Sequence, residues 1–254
     1  MANSKFYDNQ NYSYPQYWRG REYEHLSEEH AIKNLLNGQK FQHGIDVGGG
    51  YGRLTKLIAG YCQRADLIEP SDEQRLVGAD FLKKVKNVSI KSGTIEQIPL
   101  EDQSVDLGLV VRVLHHIPNP EKAIVELARV MKPDGKLVIE VANSTHFKAR
   151  LASWLRGSAI PLEPVSKAID ATVPFVNHHP KIIAKLLEKN GFTVERKLSV
   201  SNLRLPGLKK ILPKSLMLSL EKLLQRPLGR SNFGPSLIFL AKKNNYIPNN
   251  SISG

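Results

Sequence analysis

Four of the five glycines in the segment GIDVGGGYGRLT, residues 44–55, crowd into positions 48–52, between a short apolar run and a helical pattern. A glycine at such a turn lets a ligand approach the backbone, because no Cβ is in the way. A dinucleotide-binding G-x-G-x-x-G does not fit, since its third glycine position holds Arg53. A phosphate-binding P-loop does not fit either, because Gly-Lys-Ser/Thr is missing. The pattern that fits is D-x-G-x-G-x-G, formed by Asp46, Gly48, Gly50 and Gly52.

Two carboxylates accompany these glycines and indicate the kind of ligand. Asp46, two residues before the first glycine of the pattern, would repel a pyrophosphate but suits a ligand that carries an ammonium group. Glu69 ends the second predicted strand, where an acidic side chain can accept hydrogen bonds from both ribose hydroxyls. Together they favour a nucleoside with a cationic tail.

The elements that must position these residues alternate between strand and helix along the chain. Strands are predicted over FQHGIDV, ADLIE, NVSIKSG, SVDLGLVV, GKLVIEV, FTVERKLSV and SLIFLAKK. A helix is predicted over NPEKAIVELARVM, with Asn119 as its N-cap and Pro120 as its first residue, followed by a turn at KPDG. A further helix is predicted over PKIIAKLLEKNG. The alternation predicts an α/β fold with a doubly wound, seven-stranded, mostly parallel sheet and helices on both faces.

Residues 40–142 resemble the class I methyltransferases that use S-adenosylmethionine, in the small-molecule branch (methyltransferase type 11) that includes quinone- and sterol-methylating enzymes. The resemblance rests on GIDVGGGYGRLT, LIEPS and SGTIEQIPLEDQSVDLGLVVRVLHHIPNPEKAIVELARVMKPDGKLVIEV in this order and spacing. It implies a Rossmann-like fold, S-adenosylmethionine as cofactor and methyl transfer as activity. The cofactor-binding residues that it implies are Asp46, Gly48, Gly49, Gly50, Gly52, Glu69, Thr94, Ile95 and Val111. Thr94 and Ile95 would lie beside adenine, with a backbone amide facing the ring.

Two pairs of histidines follow predicted strands or precede helices. His115 and His116 come after the fourth strand, at the edge to which the transferable methyl group should point. Either is a candidate general base for an oxygen acceptor, with packing or helix capping as the alternative. For His178 and His179, directly before a helix, capping is the favoured role. No carboxylate-rich spacing accompanies either pair, so the sequence predicts no metal site.

Three segments interrupt the α/β pattern and are where we expect the acceptor to bind. The predicted organisation is one methyltransferase domain over 16–245, with a lid helix at 16–40, cap insertions at 143–179 and 202–234, and flexible ends at 1–15 and 246–254. The residues predicted to contact the acceptor are Tyr17, Trp18, Arg112 and Trp154.

The net charge of +12 lies almost entirely in the second part of the chain. Residues 151–254 hold 16 Lys and Arg against 5 Asp and Glu, and the segment 203–230 alone holds seven bases and one acid among leucines and isoleucines. This composition suits an anionic or lipid-linked acceptor, or peripheral contact with an anionic membrane. It equally suits a cap helix whose lysines face water. Prolines at 206, 213 and 227 and a glycine at 207 predict short pieces and a mobile cap rather than one long helix.

Several other classes of protein are excluded or disfavoured. A single cysteine, Cys62, allows no internal disulfide and no cysteine zinc cluster. It is predicted in the first helix, away from the strand where a cytosine-carbon methyltransferase needs its nucleophile. HHIPNP replaces the Asn/Asp-Pro-Pro-aromatic motif of base-amino methyltransferases, which argues against nucleic acid as a partner. No apolar run suits a signal peptide or a membrane span, so a cytoplasmic protein is expected.

Two alternatives to a small-molecule methyltransferase stay open. One is a non-catalytic S-adenosylmethionine-binding protein with a regulatory or assembly role, which would carry the same cofactor motif. The other is a methyltransferase that acts on ribose or on protein.

Overall fold

The computed structural model describes residues 17–168, 174–204 and 206–245. The helices in these residues are α1 (Glu22–Leu36), α2 (Thr55–Ala59), α3 (Asp72–Leu82), α4 (Glu121–Val130), α5 (Phe147–Leu155), α6 (Pro180–Lys189), α7 (Pro206–Ile211) and α8 (Lys214–Arg230). The strands are β1 (Phe41–Val47), β2 (Cys62–Ile68), β3 (Val88–Lys91), β4 (Val105–Val110), β5 (Met131–Ala142), β6 (Val165–Ala168), β7 (Pro174–Asn177), β8 (Phe192–Val200) and β9 (Ser236–Lys243). A 3₁₀ turn, Leu114–His116, follows β4. The predicted flexible ends lie outside the described residues.

Seven of the described strands form one sheet in the order β3-β2-β1-β4-β5-β9-β8. The five strands from β3 to β5 are parallel, whereas β9 runs antiparallel to both β5 and β8. β1 lies between β2 and β4, so the strand order reverses there, and ligands of such sheets bind at the carboxyl ends of these strands. The predicted doubly wound, Rossmann-like sheet of mostly parallel strands is confirmed.

Side chains that alternate along the strands fill two cores on opposite faces of the sheet. In β9, Leu237 and Phe239 pack in the core that contains α4 and α6. Ile238 and Leu240, one position along, pack with residues of α1 and α2. Both faces are therefore covered by helices, as the sequence predicts.

Some boundaries differ from those predicted by the sequence. β5 begins at Met131, and the predicted KPDG turn lies inside it, where Asp134 has a φ of +64°. α4 begins at Glu121, one residue late, although the Asn119 side chain still accepts the Glu121 N–H at 3.1 Å. The prediction that Cys62 lies in the first helix is wrong, because α2 is short and Cys62 begins β2. Burial raises the pKa of its thiol to about 12, so it is a poor nucleophile.

The prediction that segment 203–230 holds only short pieces is wrong for its second part. α8 continues for 17 residues through Pro227, which lies in its last turn. Proline leaves the carbonyl of Leu223 without its helical partner, and Leu223 is 74% exposed, so water reaches this side. On the inner side, Tyr23 of α1 donates a hydrogen bond to the buried Glu221 at 2.6 Å. A Cβ at Gly229 would lie 2.5 Å from the carbonyl oxygen of Lys197 in β8, so the helix packs directly on the strand.

Candidate active site

The glycine-rich turn joins β1 to α2 and has a backbone that favours glycine. Gly48, Gly50 and Gly52 have φ values of +70°, +60° and +86°. A Cβ at Gly48 would lie 2.6 Å from Val113, and one at Gly52 would lie 2.5 Å from Leu82 of α3. Two of these glycines therefore also permit close packing of the turn on its neighbours. The sequence interpretation, which assigned their small size to the ligand alone, missed this internal role.

Glu69 directly follows β2 and is held by the glycine-rich turn. Its Oε2 accepts the Gly50 N–H at 2.9 Å, and its Oε1 accepts the Ser71 N–H at 3.0 Å. Glu69 is 5% exposed. Burial raises the pKa of its carboxyl above the ordinary value, and the two amides offset only part of this rise. Each carboxylate oxygen keeps room for a second hydrogen bond. An oriented carboxylate of this kind can receive a pair of vicinal hydroxyls such as those of a ribose.

Asp46, in β1, is a buried carboxylate beside the same turn. Its Oδ2 accepts the Thr55 hydroxyl at 2.7 Å, and a Cβ at Gly49 would lie 2.5 Å from this oxygen. Burial raises the pKa of Asp46 to about 6, although Thr55 and the charge of Arg53 act in the opposite direction. A cationic ligand group nearby would offset this cost of burial. The residue therefore fits the ammonium group of S-adenosylmethionine.

The remaining predicted cofactor residues lie near the carboxyl ends of β2 and β4. Ile95 is 4% exposed and shares a core with Ile68, the last residue of β2. Its neighbour Thr94 is exposed, and their short loop is closed by a backbone hydrogen bond from Thr94 N–H to the Gln97 carbonyl. Val111, 6% exposed, directly follows β4. The adenine contact of Thr94 and Ile95 and the cofactor contact of Val111 stay predictions.

His115 and His116 lie in the 3₁₀ turn after β4. The His115 ring stacks on that of Phe175 in β7, with centroids 4.5 Å apart, and lies 3.9 Å from the His116 ring. Burial, with help from the neighbouring His116, Arg112 and His178, lowers the pKa of His115 well below 6.5. Burial also lowers the pKa of His116 to about 4. Both rings are therefore uncharged at neutral pH and can accept a proton, but only as weak bases.

The second histidine pair divides into two structural roles. His179 is the N-cap of α6 and its ring accepts the Lys181 N–H at 3.2 Å, so capping is confirmed for this residue. Capping is wrong for His178, whose Nε2 lies 2.9 Å from the Leu114 carbonyl oxygen and so holds the 3₁₀ turn against β7. Within the described ranges, no three His, Cys, Asp or Glu side chains are grouped so that they could hold a metal ion.

A buried charge network that sequence reasoning missed joins α1 to this edge of the sheet. Glu28 of α1 accepts hydrogen bonds from Arg53 at 2.6 Å and from Arg112 at 2.8 Å. Its side chain is only 3% exposed. Trp18 lies against both guanidinium groups, whose carbons are 3.8 Å and 4.8 Å from the indole centroid. Glu28 therefore connects the predicted lid to Arg53, next to the glycine-rich turn, and to Arg112, two residues after β4.

Three of the four predicted acceptor residues come together here. Tyr17 meets the edge of Trp18, with ring centroids 5.6 Å apart. The Arg112 backbone has a φ of +62°. Its N–H donates a hydrogen bond to Glu140 at 2.9 Å, which stabilises this conformation. The structure does not bring Trp154 to this cluster, because its side chain is 77% exposed on the outer side of α5.

One described cavity lies away from these groups. It has a volume of about 260 Å³ and is lined by Lys40, Phe41, Gln42, Gly60, Tyr61, Cys62 and Gln63. These residues surround the amino ends of β1 and β2, opposite the edge where parallel sheets bind ligands. The chemistry of the carboxyl edge, rather than this cavity, identifies the candidate site.

Comparisons with known proteins agree with this geometry. Residues 45–139 match the family model described as a methyltransferase domain. The ubiquinone/menaquinone biosynthesis C-methyltransferase UbiE of Rubrivivax gelatinosus is 32% identical over 100 residues, which cover 39% of this chain and 39% of that protein. The chain thus spans less than half the length of the curated relatives it matches.

Solved structures extend the likeness of fold to most of the chain. A S-adenosylmethionine-dependent methyltransferase of Thermotoga maritima, described as a possible histamine N-methyltransferase, has a TM-score of 0.63 over 96% of this chain and 99% of its own, at 21% identity. The 1,6-didemethyltoxoflavin-N1-methyltransferase of Burkholderia thailandensis, solved with S-adenosylhomocysteine, has a TM-score of 0.56 over 87% of this chain and 79% of its own, at 17% identity.

The matched segment 45–139 contains Asp46, the glycine-rich turn, Glu69 and the histidine turn. The described helices include none long and apolar enough to cross a membrane. Residues 45–139 thus match a methyltransferase domain, and most of the chain shares the Rossmann-like fold of S-adenosylmethionine-dependent methyltransferases.

Proposed function

We propose that the protein transfers the methyl group of S-adenosylmethionine to an oxygen, nitrogen or carbon atom of a small or lipid-linked molecule. The observation that carries the proposal is the convergence of Asp46, Glu69 and the His115–His116 turn at the carboxyl ends of β1, β2 and β4. Cofactor groups and candidate acceptor groups meet at this one edge, where a methyl group would have to pass between them.

In this proposal the carboxylates hold the cofactor. Glu69, fixed by the Gly50 and Ser71 amides, receives the ribose hydroxyls. Asp46 faces the ammonium end, which compensates for the burial of its charge. When bound, S-adenosylmethionine would supply the methyl group of its sulfonium: the acceptor atom bonds to the methyl carbon in line as the carbon–sulfur bond breaks, and S-adenosylhomocysteine leaves. No nucleophilic protein residue is needed for this displacement.

The acceptor side consists of the groups around the 3₁₀ turn and the aromatic cluster. His115, His116 and Phe175 form a largely apolar wall that orients an acceptor and excludes water. For an O–H or N–H acceptor, a neutral imidazole of His115 or His116 accepts the proton that the acceptor loses. Tyr17, Trp18 and Arg112, the last held by Glu28, are the second group of residues that would contact the acceptor. Contact of Trp154 with the acceptor stays a prediction of the sequence.

The class of acceptor can be tested with methyl-labelled S-adenosylmethionine and a cell extract divided into polar small molecules, lipids, protein and RNA. The expected result is label in one of the first two fractions, with an equal amount of S-adenosylhomocysteine. The Glu69→Ala variant should lose this activity, whereas Glu73→Ala, on the nearby helix α3, should retain it. Label in RNA or protein would identify one of the alternative acceptors. Binding of the cofactor without turnover in any fraction would identify a non-catalytic binding protein.

A further inference from the structure

Helix α5 has an unusual distribution of side chains. Its large apolar residues face solvent, with exposed fractions of 49% for Phe147, 44% for Leu151, 77% for Trp154 and 70% for Leu155. Its partly covered positions are the small residues Ala149, Ala152 and Ser153. A surface helix of a globular domain ordinarily turns its large apolar residues inward. In α5 the large apolar residues face solvent and the small residues face the protein, and no residue of the helix is buried.

The exposed residues form one continuous stripe. At 100° per residue, positions 147, 151, 154 and 155 lie within about 100° of the helix circumference. Lys148 borders this stripe on one side and Arg150 on the other, and Arg156 follows the last turn. Residues 143–162 contain these three bases and no acidic residue. The stripe is thus an apolar surface with a positively charged border.

The start of α5 is anchored to the body of the protein. The Phe147 ring stacks on Phe233 with centroids 5.0 Å apart, and the Phe147 N–H donates to the Phe233 carbonyl at 2.8 Å. The Arg150 guanidinium donates to the Ser231 carbonyl at 2.5 Å and to the Thr145 carbonyl at 2.7 Å, and both of these acceptors are uncharged. These contacts hold the helix with its apolar stripe directed outward.

We propose that α5 is an interfacial helix that docks this protein on an anionic lipid surface. A helix that carries Trp, Phe and Leu on one face and Lys or Arg beside them lies flat at the boundary between headgroups and acyl chains. An anionic leaflet complements both features of α5, because its acyl chains accommodate the apolar stripe and its headgroups attract the basic residues beside the stripe. This function is independent of which acceptor is methylated. It also names a surface other than segment 203–230, which the sequence predicts for the same role.

The chain allows a sharp test, since it contains two tryptophans, Trp18 and Trp154. Trp18 is 7% exposed and Trp154 is 77% exposed. Adding vesicles of phosphatidylcholine with phosphatidylglycerol should shift the tryptophan emission to shorter wavelength. The shift should persist in Trp18→Phe and disappear in Trp154→Phe. Vesicles of phosphatidylcholine alone should produce a smaller shift, and added salt should reduce it.

Co-sedimentation with the same vesicles then locates the surface. Three variants introduce a glutamate at positions of similar exposure: Trp154→Glu on α5, Leu223→Glu on α8 and Leu76→Glu on α3. Trp154→Glu should weaken binding by about tenfold or more, and Leu76→Glu should bind almost as the unchanged protein does. Circular dichroism and thermal unfolding check that all three variants fold.

Four results would overturn the proposal. The unchanged protein could fail to bind anionic vesicles at low salt. Trp154→Glu could bind as well as Leu76→Glu, or only Leu223→Glu could lose binding, which would place the contact on α8. Finally, sedimentation could show a dimer without lipid that Trp154→Glu dissociates, in which case the stripe is an interface between two copies of the chain.

Discussion

Replacing Glu28 by glutamine tests the network that connects α1 to the cofactor turn. The side chains of Glu28, Arg53 and Arg112 are 3%, 7% and 17% exposed, and the two ion pairs measure 2.6 Å and 2.8 Å. Removing one partner of a buried pair costs about 3–5 kcal/mol, because the remaining charge stays buried without compensation. Glutamine still accepts one hydrogen bond, so we expect the free energy of unfolding to fall by about 3 kcal/mol.

A neighbouring glutamate provides the matched control. Glu29 lies one position along α1 and pairs with the half-exposed Lys33 at 3.0 Å. Since such surface pairs contribute about 1 kcal/mol or less, Glu29→Gln should change stability little. Urea denaturation monitored by circular dichroism measures both variants. S-adenosylmethionine should also bind more weakly to Glu28→Gln, because Arg53 follows the glycine-rich turn directly.

The pH dependence of the free energy of unfolding follows from the charges of Glu28, Arg53 and Arg112. Burial alone would raise the pKa of Glu28, but Arg112 and Arg53 outweigh it and hold the pKa below its ordinary value of 4.5. A lowered pKa in the folded protein means that the stabilisation is present above pH 4.5 and is lost as the pH falls through the folded value. The difference between the unchanged protein and Glu28→Gln should therefore shrink under acid conditions. Equal losses of unfolding free energy in Glu28→Gln and Glu29→Gln at pH 7 would refute the claim that the buried network stabilises the fold.

Four more substitutions test other parts of the protein. Asp46→Asn should stabilise the ligand-free protein at pH 7.5 by up to about 2 kcal/mol in thermal unfolding. Burial raises the pKa of this carboxyl from 3.8 to about 6, so its ionisation lowers the stability as the pH rises between these values, and the full loss is present above pH 6. The same variant should bind S-adenosylmethionine more weakly in calorimetry. His115→Asn or His116→Asn should lower turnover by about 10²-fold if that residue is the base. Because the His116 pKa is about 4, the acid limb of the rate profile should lie there and not near 6.5. Tyr23→Phe should lower the free energy of unfolding by about 1–2 kcal/mol in urea, since its hydroxyl links Glu221 to α1.

The fold could be predicted largely because its signals are local. β8 and β9 begin and end at the predicted residues, since each contains several strand-forming residues and lies between turn-forming residues. Pro227 misled the prediction for a tertiary reason. The contacts of Glu221 with Tyr23 and of Gly229 with β8 stabilise α8 beyond what its own sequence would support.

The site was predictable where a motif fixes the backbone and not where side chains from distant segments meet. Asp46 and Glu69 lie next to the turn because strand order places them there. Glu28, in contrast, looks like one of several charges in EYEHLSEEH, and its partners follow it by 25 and 84 positions. A signal was present, because Glu28 lies one helical turn before the buried Ile32 and so on the inward face of α1. A charge at such a position predicts a buried partner without identifying it.

The measurement that tests the central claim most directly is calorimetric titration of S-adenosylmethionine into the unchanged protein, Glu69→Ala and Gly50→Val. We expect one site per chain in the unchanged protein. Glu69→Ala loses a pair of charge-assisted hydrogen bonds, each worth about 1.5–3 kcal/mol at most, and should bind at least about tenfold more weakly. Gly50→Val should bind weakly as well, since its φ of +60° does not suit a β-branched residue. Undiminished affinity in both variants, with both still folded, would contradict the assignment of the cofactor site.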